Sequence, residues 1–328
     1  MPDFHRGSVP FVKILPRLVI KNLKPRFPII QGGMAIRVST GRLAGAVARE
    51  GGIGLIAGSG MTEDEIRNEI RIARKIADGG IVGVNTLVAA SAFLDVMKTA
   101  ADEGIDLLVA GAGFSRDLLI LGQKTGVPIV PIVSTARLAL LAESLGASAV
   151  IVEGKEAGGH LGTTKSSRVL YPLVKEAVKI PVIIAGGISD RDDLLEVLAM
   201  KVDGIQVGTR FAASYESNVS DAFKQRYLQA KRGDVFRIHS PVGLPGNALS
   251  TPFSDRIPEG IPPTEKCNGC LKRCSRSFCI VKALTNAKEG NLNEGLVFAG
   301  EHVYKIKEIL SVEQIFKSFF DGLETIDE

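Results

Sequence analysis

From Pro28 onward, short apolar runs alternate with longer segments whose apolar positions recur every three to four residues. Short runs bounded by turn residues predict buried strands, and the 3.6-residue period predicts helices beside them. The strands fall at Pro28–Met34, Gly52–Gly58, Val82–Val88, Asp106–Gly113, Pro128–Ser134, Ala149–Gly154, Pro181–Gly187 and Gly204–Phe211. Each is followed by a helical pattern: Thr40–Glu50, Glu63–Ala77, Ser91–Glu103, Arg116–Lys124, Ala136–Leu145, Arg168–Lys179, Asp190–Met200 and Asn218–Lys231. Gly51, Gly104, Gly126 and Gly146 stand where helices stop, and Pro128 and Pro181 open strands, positions at which both residue types are at home.

Eight strand–helix cycles in succession predict an α/β fold, a (β/α)8 TIM barrel. An open doubly wound sheet is the alternative, but it requires a reversal of strand order that a barrel does not. We therefore divide the chain into a lead-in (1–25), a barrel (26–234) and a C-terminal extension (235–328) that contains a cysteine cluster. Prolines and glycines multiply from Pro241 to Pro263, which marks the change of character.

Composition sharpens this picture. Hydrophobic residues make up 45 % of the chain, aromatics only 5 %, and there is no tryptophan. A core built from Ile, Leu, Val and Ala suits a parallel sheet covered on both faces. The net charge of +4 is too small to suggest nucleic acid or an anionic membrane as partner. No apolar run approaches the ~18 residues of a membrane span. The N-terminal apolar residues are broken by Lys13, Pro16 and Arg17 and lack a signal-peptide pattern. A cytoplasmic protein acting on a small molecule is expected, and a homodimer is compatible with this reading.

Glycine gathers where the strands end, at Gly32 and Gly33, Gly111 and Gly113, Gly158 and Gly159, Gly186 and Gly187, and Gly208. Loops need some glycines for turns alone. The clusters after strands seven and eight also match the usual phosphate site of such barrels, where backbone N–H groups approach the anion without an intervening Cβ. Gly186, Gly187, Gly208 and Thr209 are the candidates there. Gln31, Gly32, Gly33 and Met34 close the first strand, Asn85 the third and Glu153 the sixth. With Gly158 and Gly159 they would surround a flat heteroaromatic ring.

The string Ile151-Val152-Glu153-Gly154-Lys155-Glu156-Ala157-Gly158-Gly159-His160 resembles the signature loop of the nitronate monooxygenase (2-nitropropane dioxygenase) family, which includes FMN-dependent enoyl-ACP reductases. Pro28–Met34, Gly83–Asn85, Pro181–Ile188, Gln206–Phe211 and Ser240–Gly246 are similar to its other motifs, in order and spacing. The resemblance implies an FMN flavoprotein and an oxidoreductase, and the candidate flavin contacts all lie before residue 212. It implies a nitronate monooxygenase that oxidises nitroalkanes or nitronates with O2. The alternatives are an enoyl-ACP (enoyl-thioester) reductase that takes NAD(P)H as substrate, and a flavin- and metal-bearing redox sensor. Two departures stand out. The loop after strand seven reads Ser189-Asp190-Arg191-Asp192-Asp193, more charged than the family pattern, and it lacks a second histidine.

Of the four histidines, His160 alone follows a barrel strand; His5 and His302 lie in the terminal segments and read as surface residues, and His239 precedes the Ser240–Gly246 motif. A neutral imidazole can accept the α-proton of a carbon acid, and an imidazolium can protonate a reduced double bond. His160 is therefore the candidate catalytic residue for either direction. Barrels of the IMP dehydrogenase type need a nucleophilic cysteine in a mouth loop, and no barrel loop here carries one.

All the cysteines cluster as Cys267, Cys270, Cys274 and Cys279, spaced C-x2-C-x3-C-x4-C. Compact spacing of this kind suggests metal binding. A 4Fe-4S iron–sulfur cluster is expected, with zinc as the alternative.

Overall fold

The structure, a computed structural model, describes residues 14–262 and 267–325; His5 lies outside them. The strands are β1 (Ile29–Gln31), β2 (Ile53–Ala57), β3 (Ile81–Leu87), β4 (Leu107–Gly111), β5 (Ile129–Val133), β6 (Val150–Glu153), β7 (Gly159–His160), β8 (Val182–Ala185), β9 (Gly204–Val207), β10 (Val235–His239), β11 (Pro245–Leu249) and β12 (Val297–Phe298). The helices are α1 (Gly41–Arg49), α2 (Glu63–Ala77), α3 (Phe93–Asp102), α4 (Arg116–Thr125), α5 (Ala136–Ser144), α6 (Ser167–Ala177), α7 (Arg191–Ala199), α8 (Thr209–Ala212), α9 (Asp221–Leu228), α10 (Pro252–Asp255), α11 (Ile280–Glu289) and α12 (Val312–Phe320).

Strands β1 to β6, β8 and β9 pair in parallel and close into a barrel, with β9 returning to β1. The eight strands of the barrel are those the hydrophobic pattern marks. Within each strand the apolar residues divide between two cores. Ile30, Leu55, Val109, Ile151 and Ile183 fill the interior. Their neighbours Ile29, Ile56, Leu108, Val152 and Ile184 face the helical layer. This two-sided burial is why the strands read as continuous apolar runs. Leu18 and Ile20 of the lead-in join the interior cluster.

Local signals agree with the helix boundaries. Thr62 and Glu65 form a capping box on α2, which satisfies two otherwise unpaired N–H groups. Helix α1 needs glycine at its contacts: a Cβ on Gly54 would lie 1.8 Å from the Ala44 carbonyl oxygen.

The segment after 235 forms a small sheet, β10–β11–β12, and β11 also pairs with β7 in the loop after β6. Helix α12 buries Ile315, Phe316 and Phe319 in the same cluster as the barrel's helical layer. The C-terminal residues are therefore packed into the barrel's core. Among the described residues no helix is long and apolar enough to cross a membrane.

Candidate active site

A cavity of about 260 Å³ opens at the C-terminal ends of the barrel strands. Its floor and one end come from the strand termini, where Gly32, Gly33, Asn85, Glu153, Gly186 and Gly208 line it. Met34, Gly158, Gly159, His160, Gly187 and Thr209 line it as well. The structure thus brings these expected site residues to one cavity. Gln31 is the exception. Its amide is buried behind the wall, donating to Ser39 Oγ at 2.9 Å and accepting from the Leu55 N–H at 3.1 Å. Its tie to Ser39, which in turn accepts from the Met34 N–H at 3.0 Å, shapes the loop that does face the cavity.

Two acceptors are left over at the strand ends. Asn85 donates through Nδ2 to the Gly33 carbonyl at 3.0 Å, but its Oδ1 is buried with no hydrogen-bond partner, and so is Oε1 of Gln206. Both residues border the cavity. An unpaired buried acceptor costs about 1–3 kcal/mol, so these oxygens fit a ligand that presents N–H groups. Gln206 was not among the expected site residues. Glu153 borders the same cavity, and burial pushes its carboxyl up to about 8, leaving it a neutral acid at pH 7.

The loop after β8 lines the cavity as a glycine cradle. Arg168 donates to the Gly186 carbonyl at 2.6 Å and to the Gly187 carbonyl at 2.7 Å. In a trans peptide the C=O and the following N–H point in opposite directions. Tying those carbonyls to Arg168 therefore turns the N–H groups of Gly187 and Ile188 the other way. Gly187 has φ +66° and Gly186 φ +100°, which glycine adopts without strain. Gly158 has a second role: its missing Cβ admits the backbone of Ala299, 2.8 Å from where a Cβ would stand.

His160 is carried by the β7–β11 pairing, where it stands opposite Gly246. Its Nε2 lies 2.7 Å from Ser240 Oγ, and its ring meets Phe298 edge-on at 5.2 Å. Nδ1 makes no hydrogen bond among the described residues. Burial holds the imidazole down to about 4, so it is neutral at pH 7.

The charged run after β8 has a structural explanation. Asp193 accepts from the Ser189 N–H at 2.9 Å, from His302 Nδ1 at 3.0 Å and from Lys305 Nζ at 2.7 Å. Lys305 also reaches Asp190 at 3.2 Å. Asp190, which caps α7, and Asp193 within it thus dock the C-terminal segment. His302, read as a surface residue, borders the cavity instead, with a side chain 26 % exposed.

The outer wall is apolar and comes from the extension: Leu271, Ile280, Val281, Leu284, Leu296 and Phe298 all line the cavity. The cavity is therefore bordered by the extension as well as by the barrel. The cysteine cluster finds no support as a metal site. Among the described residues no three Cys, His, Asp or Glu side chains converge closely enough to hold a metal ion, so the expected 4Fe-4S or zinc centre is not assembled from Cys267, Cys270, Cys274 and Cys279. The segment is held by other means. Ser91 N–H donates to the Cys270 carbonyl at 3.0 Å and Lys272 N–H to that of Ala89 at 2.9 Å. Phe278 packs edge-on against Phe253 at 5.6 Å. Cys270 borders the cavity, and burial, aided by the other three thiols, raises its pKa.

Known proteins place this geometry in context. A dehydrogenase of Mycobacterium tuberculosis that acts on a 5-hydroxy-7a-methyl-1-oxo-octahydroindene carboxyl-CoA is 33 % identical over 236 residues, 71 % of this chain and 66 % of its own length. A probable nitronate monooxygenase of Bacillus subtilis is 26 % identical over 88 % of this chain and 93 % of its own. Among solved structures, FabK from Thermotoga maritima superimposes with a TM-score of 0.82 at 33 % identity, covering 91 % of this chain and 93 % of that one. The family model described as nitronate monooxygenase matches residues 17–322. The chain belongs to the nitronate monooxygenase family, a class of FMN-dependent oxidoreductases.

Proposed function

We propose that the chain holds FMN across the barrel mouth and oxidises nitroalkanes and their nitronates with O2. The observation that carries this reading is His160, a neutral imidazole at the cavity with Nδ1 uncommitted and Nε2 held by Ser240. A neutral imidazole is a base at rest, which suits removal of a proton from carbon. FMN, when bound, supplies the electron acceptor and its reoxidation by O2. The residues present fit it: the unpaired Asn85 Oδ1 and Gln206 Oε1 would take the ring's N–H edge, and the Gly186–Gly187 loop and Gly208 would receive the phosphate. Purified protein should turn over nitroalkanes with O2 uptake; protein that binds FMN but consumes no O2 with any nitroalkane or nitronate refutes the reading.

A second reading has its own observation. The apolar wall contributed by Leu271, Ile280, Leu284 and Phe298 is larger than a small nitroalkane needs and suits an acyl chain. The M. tuberculosis relative is named for a carboxyl-CoA substrate. On this reading the chain reduces an enoyl-thioester with NAD(P)H. Flavin reduction by NAD(P)H, followed by reoxidation with an enoyl-thioester under anaerobic conditions, distinguishes the two.

Gly208 tests the cofactor assignment. A Cβ there would make only ordinary contact with the protein, 3.6 Å from Met34 Sδ, so the fold should tolerate a side chain. The branches of valine would occupy space the phosphate needs. We expect Gly208→Val to weaken FMN about tenfold or more with little change in melting temperature, on the order of the loss of one charge-assisted contact. Unchanged FMN affinity would remove Gly208 from the site.

A further inference from the structure

We infer that His302, delivered by the C-terminal segment, is a ligand of the FMN phosphate. The inference rests on the FMN reading above and adds to it a side chain from outside the barrel. His302 borders the same cavity as Gly187, Ser189, Gly208 and Thr209. Its neighbour Gly300 donates its N–H to Thr209 Oγ1 at 3.0 Å, which ties this stretch of chain to the loop after β9. The imidazole's Nδ1 is fixed on Asp193 at 3.0 Å, and Nε2, on the far side of the ring, makes no hydrogen bond among the described residues.

A bound phosphate needs positive partners, and the other cations in this corner are committed. Arg168 gives its guanidinium to the carbonyls of Gly186 and Gly187. Lys305 gives its ammonium to Asp190 and Asp193. His302 is left with one ring nitrogen, Nε2, uncommitted among the described residues. Asp193 orients that nitrogen: although burial opposes ionisation, hydrogen bonds from His302 and Lys305 keep its carboxyl well below the usual carboxylate range. A carboxylate that takes the Nδ1 proton fixes the orientation of the ring and leaves Nε2 as the site of a second proton, which the negative charge of a phosphate beside it would favour and whose hydrogen bond the phosphate would accept. The arrangement also explains why the loop after β8 is acidic in this chain: Asp190 and Asp193 recruit the tail that carries the imidazole.

The test compares two flavins. Riboflavin has the same ring as FMN without the phosphate. Wild-type protein, His302→Gln and His302→Asn are stripped of flavin and titrated with each, with flavin fluorescence as the readout. Asparagine can keep the hydrogen bond to Asp193 while removing the nitrogen beyond it, so it controls for docking of the tail. Both variants should bind FMN about tenfold more weakly, as expected for a lost charge-assisted hydrogen bond, and riboflavin within about twofold of wild type. Undiminished FMN affinity overturns the inference. So does a parallel loss for both flavins, which would make His302 a structural residue. Wild-type protein that binds neither flavin overturns the FMN reading itself.

Discussion

Replacing His160 by alanine should leave the flavin bound and slow turnover of a neutral nitroalkane by about 10²- to 10⁴-fold, the usual range for a positioned proton-transfer group. That range corresponds to about 3–5 kcal/mol of barrier. Flavin should remain because the side chain touches Ser240 and Phe298 and takes no part in the glycine cradle. A preformed nitronate has already lost its α-proton, so it should recover much of the lost rate. With burial holding the imidazole down to about 4, the acid limb of kcat/KM should lie well below the ordinary histidine range, since that profile reports the free enzyme. Stopped-flow flavin reduction measures all three quantities. Equal rates for wild type and His160→Ala on the neutral nitroalkane would end the assignment of His160 as base.

The barrel was legible because its strands are buried on both sides. Ile183 faces the interior and Ile184 the helices, so every position is apolar and the run announces itself. The edges were less legible. Gly204–Phe211 read as one strand, yet β9 ends at Val207 and Thr209 begins a helical turn. An apolar Phe211 suits either state, and burial under α12 decides it. Strand β7 is only Gly159 and His160, and it exists because β11 arrives from about ninety residues away. Nothing local in the Gly158–His160 stretch specifies that pairing.

The candidate site divides along the same line. Residues at strand ends were found because strand ends converge in a barrel. Gln31 was misplaced, since one residue along a strand changes the face a side chain takes; it supports the loop from behind. Arg168 and His302 went unrecognised because their roles depend on partners distant in the sequence, the carbonyls of Gly186 and Gly187 and the carboxylate of Asp193. The acidic run Asp190–Asp193 looked like a departure from the family pattern, and it was also the signal that a basic segment must dock there. The cysteine spacing suggested a metal, but spacing along a chain does not fix the side-chain directions that ligation requires.

The last expectation concerns Glu153 and the stability of the flavin-free protein. Burial raises its carboxyl from 4.5 to about 8 and lowers His160 from 6.5 to about 4. Between about 4.5 and 8 the folded chain retains the Glu153 proton that the unfolded chain has released, so stability falls as pH rises through that window. Between about 4 and 6.5 the unfolded chain holds a proton on His160 that the folded chain lacks, so stability rises with pH there. The two slopes cancel between about pH 4.5 and 6.5, and above that Glu153 acts alone until about pH 8. One pKa unit is worth about 1.4 kcal/mol. Both side chains border the cavity, where water screens them, so the expected loss from pH 6.5 to 8 is about 1–2 kcal/mol. Glu153→Gln removes the titration. Its stability should climb with pH to about 6.5, as His160 dictates, and then stay level where wild type declines. Urea unfolding of both proteins at pH 5, 6.5 and 8 measures the difference. A wild-type curve as level as the variant's between the two higher pH values would mean that Glu153 is ionised in the folded protein, and a carboxylate rather than a neutral acid would then border the flavin.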